Sequence, residues 1–297
     1  MGHNHSHGHH HHHHDLHGKK LIWAVVINVT LTVVQIIGGL LSGSLSLIAD
    51  AIHNLSDAGS LIIAAVASKI SKVPADNKMT FGYRRAEIIG ALINSTTLVI
   101  VAFYLVYESI MRYFTPEPID GWIVVWVAGV ALIIDLLTAL LTFEGSKDSI
   151  NIKAAFIHNL SDAMASVVVI VSGVLIINYQ IYIVDLIATV LISAYILYHG
   201  FLILKKCILI LMQSVPEHLP VEEVKATIES VDMVENTHHI HLWQLDDKKV
   251  FLEAHIKISP KNLEHLETVK TQIKNILKSK HHIEHTTLEM EVGNNCE

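Results

Sequence analysis

The hexapeptide HNLSDA occurs at residues 53–58 and again at 158–163, each time inside a long apolar segment. A histidine and an aspartate one helical turn apart share a helix face, so His53/Asp57 and His158/Asp162 each turn an imidazole and a carboxylate toward one point. Ionisable groups within lipid are costly and usually belong to function. Two such helices set face to face supply two nitrogen and two oxygen donors. That set satisfies a tetrahedral Zn2+ and leaves it without net charge. Magnesium and calcium favour all-oxygen shells and copper(I) favours sulfur, so zinc leads, with cobalt and cadmium behind it. The competing reading, interhelical hydrogen bonds that merely hold a bundle together, suits one pair better than two identical motifs. Asp50 shares the stripe with His53 and Asp57; it could accept a hydrogen bond that orients His53, or line an aqueous cavity. Asp135, Asp185, Asn28, Asn94 and His199 are isolated polar groups in apolar segments and read as satisfied, cavity-lining or helix-end residues.

Of the 297 residues, 51% are hydrophobic and only 16% are charged, which points to a chain largely embedded in lipid. Charges are sparse from Leu21 to Leu211 and dense from Pro216 onward. About 20 apolar residues cross about 30 Å of hydrocarbon. Six segments qualify: Leu21–Leu41, Leu45–Ile70, Ile88–Tyr107, Trp122–Phe143, Ala154–Ile177 and Ile181–Leu204. Lysine and arginine gather at Lys19/Lys20, Lys69 to Arg85, Lys147/Lys153 and Lys205/Lys206, and the opposite connections hold only Arg112. The bias places both termini in the cytoplasm. His53 lies about nine residues past Ser44 and His158 about nine past Ser149, each roughly 13 Å deep, and the two segments run in opposite directions. The two pairs therefore meet near the midplane, the usual place for a transporter's substrate at an inverted-repeat interface.

Beyond the sixth segment the pattern is helix (His218–Val231), two strands (Val234–Leu245 and Lys249–Ile258), helix (Leu263–Leu277) and strand (His285–Val292). The expected fold class is an α-helical membrane domain of six transmembrane helices followed by a small α/β ferredoxin-like cytoplasmic domain. Its parts are a disordered His-rich arm over residues 1–18, a membrane domain over 19–211 and a cytoplasmic domain over 212–297.

A net charge of −7 gives no basic footprint, which excludes nucleic acid as a partner. Cys207 and Cys296 form no CxxC, so neither a disulfide framework nor a thiolate metal site is expected. The first 20 residues are polar and His-rich, unlike a cleavable leader. Ten histidines fall within the first 17 residues, interleaved with Gly, Asn and Ser, and read as a native arm that weakly collects metal. An intramembrane metalloprotease needs an open coordination position and a general base, typically in HExxH; that motif is absent, and no enzymatic activity is expected.

The stretches SLSLIADAIHNLSDAGS (44–60), FGYRRAEIIGALIN (81–94), KAAFIHNLSDAMASV (153–167) and HHIHLW (238–243), with the His-rich terminus, resemble the cation diffusion facilitator family, and within it the zinc, cobalt and cadmium resistance type. The resemblance runs from one end of the chain to the other. It implies a homodimeric metal/proton antiporter with the metal on His53, Asp57, His158 and Asp162 and no prosthetic group; the compact chain without long loops points to a bacterial inner membrane. Histidine at the first of those positions is the version associated with zinc. The resemblance further implies a cytoplasmic domain that senses metal and tightens the dimer, with zinc ligands at His238, His255 and His285. Strand alternation puts His255 and His285 on the face opposite the apolar residues, whereas His238 alternates with Ile240 and Leu242. Two family features are altered: a second zinc site between spans 2 and 3 retains only Asp76, with Met79 and Tyr83 at its histidine positions, and a charged dimer interlock retains Arg85 but faces Met212. The expected mechanism is alternating access around the midplane site, with protons displacing metal from its ligands; a passive divalent channel is the rival class.

Overall fold

The computed structural model describes residues 14–143, 150–246 and 249–292. The expected arm up to residue 13, and Cys296, lie outside the described residues. Six long helices come first: α1 (His14–Ser42), α2 (Leu45–Ser71), α3 (Ala86–Phe114), α4 (Gly121–Phe143), α5 (Ile150–Tyr179) and α6 (Ile183–Leu211). Stretches of α3, α4, α5 and α6 are long and apolar enough to cross a membrane. Helix α2 owes its lower hydropathy to Asp50, His53, Asn54 and Asp57, the residues that matter below.

Two compact units emerge. The first takes in the chain up to Ile62 together with Asn94–Phe201, and the second Ile63–Ile93 with Leu202–Glu297. In the first, helices approach closely at glycine. A Cβ on Gly121 of α4 would sit 2.8 Å from the Gly173 carbonyl of α5, so only glycine admits this contact. Leu47, Leu105, Val124, Val169 and Ile196 are fully or almost fully buried in the same cluster.

Helix ends in this unit are capped by side chains. Asp120 Oδ1 accepts the amides of Trp122 and Ile123 at the start of α4, at 3.0 and 3.3 Å. At the start of α2, Ser44 Oγ accepts the Leu47 amide at 3.1 Å. A second cap comes from another helix: Asp185 of α6, fully buried, accepts from Ser44 Oγ and Ser46 Oγ at 2.6 Å each and from the Leu45 amide at 2.8 Å. Asp185 is therefore a helix-end residue, and Asn94 is a satisfied one, donating to Ser56 Oγ and Ser60 Oγ at 3.0 and 2.7 Å. Arg112 closes the turn after α1 by donating to the Gly43 carbonyl at 2.6 Å; Gly43 itself needs its positive φ of 72°.

The second unit contains α7 (Val221–Glu229), β1 (Val234–Gln244), β2 (Val250–Ile258), a short 3-10 helix (Pro260–His265), α8 (Leu266–His281) and β3 (His285–Val292). The sheet order is β1-β2-β3, with β1 antiparallel to β2 and β2 parallel to β3. A parallel pair needs a crossover, and α8 supplies it. Val224 and Ile228 of α7 and Val269, Ile273 and Leu277 of α8 pack on Leu252, Ala254, Ile256 and Ile258 of β2. Helix α8 stops at His282, whose φ of 56° is left-handed, with the Ile283 amide returning to the Leu277 carbonyl at 3.2 Å.

The connection between α2 and α3 belongs to this unit. Asp76 Oδ1 accepts the amides of Lys78 and Met79 at 2.7 Å each, and Tyr83 donates its hydroxyl to Oδ2 at 2.9 Å. Phe81 packs edge-on to Phe251 of β2, ring centroids 5.4 Å apart, and Arg84 pairs with Asp246 at 3.5 Å. Arg84 is thus the arginine of this stretch that meets an acid, and the Nε of its neighbour Arg85 is buried without a hydrogen-bond partner.

Candidate metal centre

Helices α2 and α5 bring the two repeated motifs together. His53 Nε2 stands 3.6 Å from Asp57 Oδ2 and 3.2 Å from Asp162 Oδ1, and His158 Nε2 stands 3.4 Å from Asp57 Oδ2 and 3.5 Å from Asp162 Oδ2. Zinc bonds of about 2.0–2.1 Å to nitrogen and oxygen give a tetrahedron with edges of about 3.4 Å. The four nitrogen-to-oxygen separations match that edge, and one donor atom from each residue fits within 4.8 Å of all the others. The side chains of His53 and Asp162 are 11% and 9% exposed against 44% for His158, the most exposed of the four.

Further residues hold this arrangement. Tyr195 of α6 packs its ring edge-on to His53, centroids 5.7 Å apart, and contacts the His199 ring at 4.5 Å. Asp50 does not orient His53 by a hydrogen bond. Its Oδ2 accepts instead from Gln35 Nε2 of α1 at 2.6 Å, and Gln35 Oε1 accepts from Asn54 Nδ2 at 3.0 Å. Asp50 sits a turn before His53 but leans toward α1, so its carboxylate serves a different helix contact. Asp135 of α4 accepts a hydrogen bond from Ser166 Oγ of α5 at 3.3 Å. Gln35 is a polar residue in a largely apolar span, a signal that lies outside the pattern of paired ionisable residues. Tyr195 carried none.

A second cluster lies on the outer face of the sheet. His238 and His255 are register partners, and Glu291 reaches both: Oε2 is 3.2 Å from His238 Nε2 and Oε1 is 2.6 Å from His255 Nδ1. His238, His255 and Glu291 offer three donors within 4.8 Å of one another. His285 is not among them. The parallel register sets it opposite Phe251, four residues and about 13 Å along the strand from His255, and its ring packs on Phe251 at 4.4 Å. Glu291, on the same face of β3, stands in its place. His238 reaches this face through a bulge: after the His238–His255 pair, His241 rather than Ile240 faces Glu253, and His239 between them has a left-handed φ of 48°.

Residues 21–212 match the cation efflux transmembrane domain and residues 216–292 the cation efflux protein cytoplasmic domain. The chain belongs to the cation diffusion facilitator family. As a member it is an integral membrane transporter of metal cations and not an enzyme. It is 33% identical to the zinc transporter ZitB of Pectobacterium atrosepticum over 93% of this chain and 86% of that protein. It is 32% identical to a cadmium, cobalt and zinc/H(+)-K(+) antiporter of Bacillus subtilis over 98% and 92%. A metal cation efflux system protein, CzcD of Cupriavidus metallidurans, is 34% identical over 93% and 87%. This facilitator thus aligns with such relatives through both its membrane helices and its α/β tail.

Proposed function

We propose that the protein exports zinc, and with it cobalt or cadmium, from the bacterial cytoplasm across the plasma membrane in exchange for protons. The metal is substrate, carried on His53, Asp57, His158 and Asp162. The observation that carries this reading is the set of four nitrogen-to-oxygen separations of 3.2–3.6 Å between two helices. The relatives' names, which specify zinc, cadmium and cobalt, agree with a donor set of two imidazoles and two carboxylates. In this reading all six long helices cross the bilayer, both termini are cytoplasmic, and the α/β tail, a ferredoxin-like domain, joins two copies into a homodimer. The His238, His255 and Glu291 cluster binds metal there as a regulatory ligand.

At a cytosolic pH of about 7 an ordinary imidazole is largely neutral and an aspartate ionised, so the donors are ready for metal. Facing a more acidic compartment, protons compete for the same lone pairs and release it. The experiment is transport into proteoliposomes with an acidic interior, read with a zinc dye and an internal pH dye together. Asp162→Ala abolishes zinc entry. Zinc flux without a matching proton movement would identify a passive channel instead.

A further inference from the structure

Beside the candidate metal centre lie two carboxylates that the four-ligand site does not use. Asp50 of α2 is 1% exposed; its Oδ2 accepts from Gln35, while Oδ1 is buried with no hydrogen-bond partner. The charged groups around Asp50 are Asp135 of α4 and, of the metal-site residues, His53 and Asp162. Asp135 in turn lies in the field of Asp162, His158 and His53, and accepts its hydrogen bond from Ser166, one turn after Asp162 on α5. Among the described residues no lysine or arginine pairs with either carboxylate.

Charge bookkeeping makes the pair consequential. Two ionised aspartates among the four ligands neutralise a divalent cation, so Asp50 and Asp135 leave two negative charges without a counter-charge in a low-dielectric setting. A charge buried as Asp50 is, or half-buried in an apolar helix bundle as Asp135 is, persists at low cost only when a cation joins it. The polar groups next to Asp50 select which cation: Gln35 turns an N–H toward it and its own carbonyl toward Asn54, so the neighbouring amide presents a donor where an alkali or alkaline-earth ion needs an oxygen shell. A proton needs no shell.

We propose that Asp50 and Asp135 form a proton-holding site separate from the metal ligands, which empties when metal binds at His53, Asp57, His158 and Asp162 and fills when metal leaves. Each proton taken up turns a carboxylate into a neutral carboxylic acid and lowers the negative potential that attracts the metal. By linkage, metal binding then expels those protons by the same factor. Part of the proton exchange is thereby moved off the ligands themselves. The inference rests on the transport reading above.

The test is calorimetry of zinc binding to the full-length protein in lipid nanodiscs, in pairs of buffers with different ionisation enthalpies, which counts protons released per zinc. Asp135→Asn and Asp50→Asn are each expected to bind one zinc at the ligand site while releasing fewer protons than the unaltered protein, by up to about one. Asp135→Asn guards against misfolding at Asp50, because its remaining carbonyl still accepts from Ser166. If both variants release as many protons as the unaltered protein, the proposal falls. It also falls if the change appears only with sodium or potassium and vanishes in choline, since the site would then hold an alkali ion. Asp162→Ala separates the two readings: loss of high-affinity zinc is expected of a ligand, and its retention would sink the transport site while leaving the proton count of the other variants to be read on its own.

Discussion

Ser44 and Asp185 are 141 positions apart in the chain and 2.6 Å apart in the fold, hydroxyl to carboxylate. Through that bond and those of Ser46 and Leu45, α6 supplies the acceptor for the exposed donors at the start of α2. A carboxylate at a helix N-terminus is favoured both by hydrogen bonding and by the helix dipole.

Asp185→Ala leaves two hydroxyls and a backbone amide without their acceptor and is expected to cost about 1–3 kcal/mol. Asp185→Asn, which keeps one acceptor oxygen, should cost less. Thermal unfolding of the detergent-solubilised protein checks both, and an unchanged midpoint for the alanine variant would show that Ser44 alone caps the helix.

Glu291→Gln and His285→Ala distinguish the two possible ligand sets of the cytoplasmic cluster. Loss of a carboxylate that reaches both His238 and His255 should weaken metal binding at the tail by at least about tenfold, the lower end of what even an outer partner contributes. His285→Ala should leave that affinity unchanged. Equilibrium dialysis on the Asp162→Ala background isolates the tail from the membrane centre.

The turn between α2 and α3 should be sensitive to acid. The Met79 and Lys78 amides, and then the Tyr83 hydroxyl, hold the Asp76 carboxyl below its ordinary value of 3.8. A carboxylate depressed in the fold contributes order that is fully present above its unfolded pKa and fades as pH falls through the lower, folded one. Hydrogen exchange at Lys78 and Met79 is therefore expected to stay slow down to below pH 3.8, and Asp76→Ala should speed it above that range, with the difference closing as pH falls through the folded pKa.

His281 makes the opposite kind of group. Burial against α7 pushes its pKa below 6.5, only partly offset by Glu223, and its Nε2 lies 2.8 Å from Thr227 Oγ1. The folded tail thus refuses a proton that the unfolded chain accepts, so stability is full above pH 6.5 and declines as pH falls from there toward the folded value. Denaturant midpoints followed through Trp243 at about pH 7.5 and about 5.5 should differ less for His281→Gln than for the unaltered protein. An equal difference would remove His281 from the account.

The six long helices and three strands were legible because their patterns are long and period-consistent: β3 runs from His285 to Val292 as expected, and α2 begins at Leu45. The grouping of His53, Asp57, His158 and Asp162 was legible because histidine and aspartate recur at helical spacing, which needs no tertiary knowledge. The contacts of Asp50 were not. Spacing puts it on the stripe of His53 but says nothing about α1 supplying Gln35 beside it. Nor was Glu291, since its meeting with His238 depends on β3 lying parallel to β2, a pairing set by the crossover through α8. Helix α7 starts at Val221, three residues after the His218 that the apolar pattern predicts, because Leu219 is buried in the core from a turn ahead of the helix.

The bulge at His239 has an evolutionary corollary. In an unbroken strand His238 and Leu242 would project to the same side, yet here one faces the metal-type donors and the other lies in the core. The extra residue works like a frameshift within the strand, resetting which letters are displayed downstream of it. Insertion or deletion of a single codon in β1 would thus give a lineage of such proteins a way to turn a histidine toward or away from this face of the sheet while every other residue kept its identity.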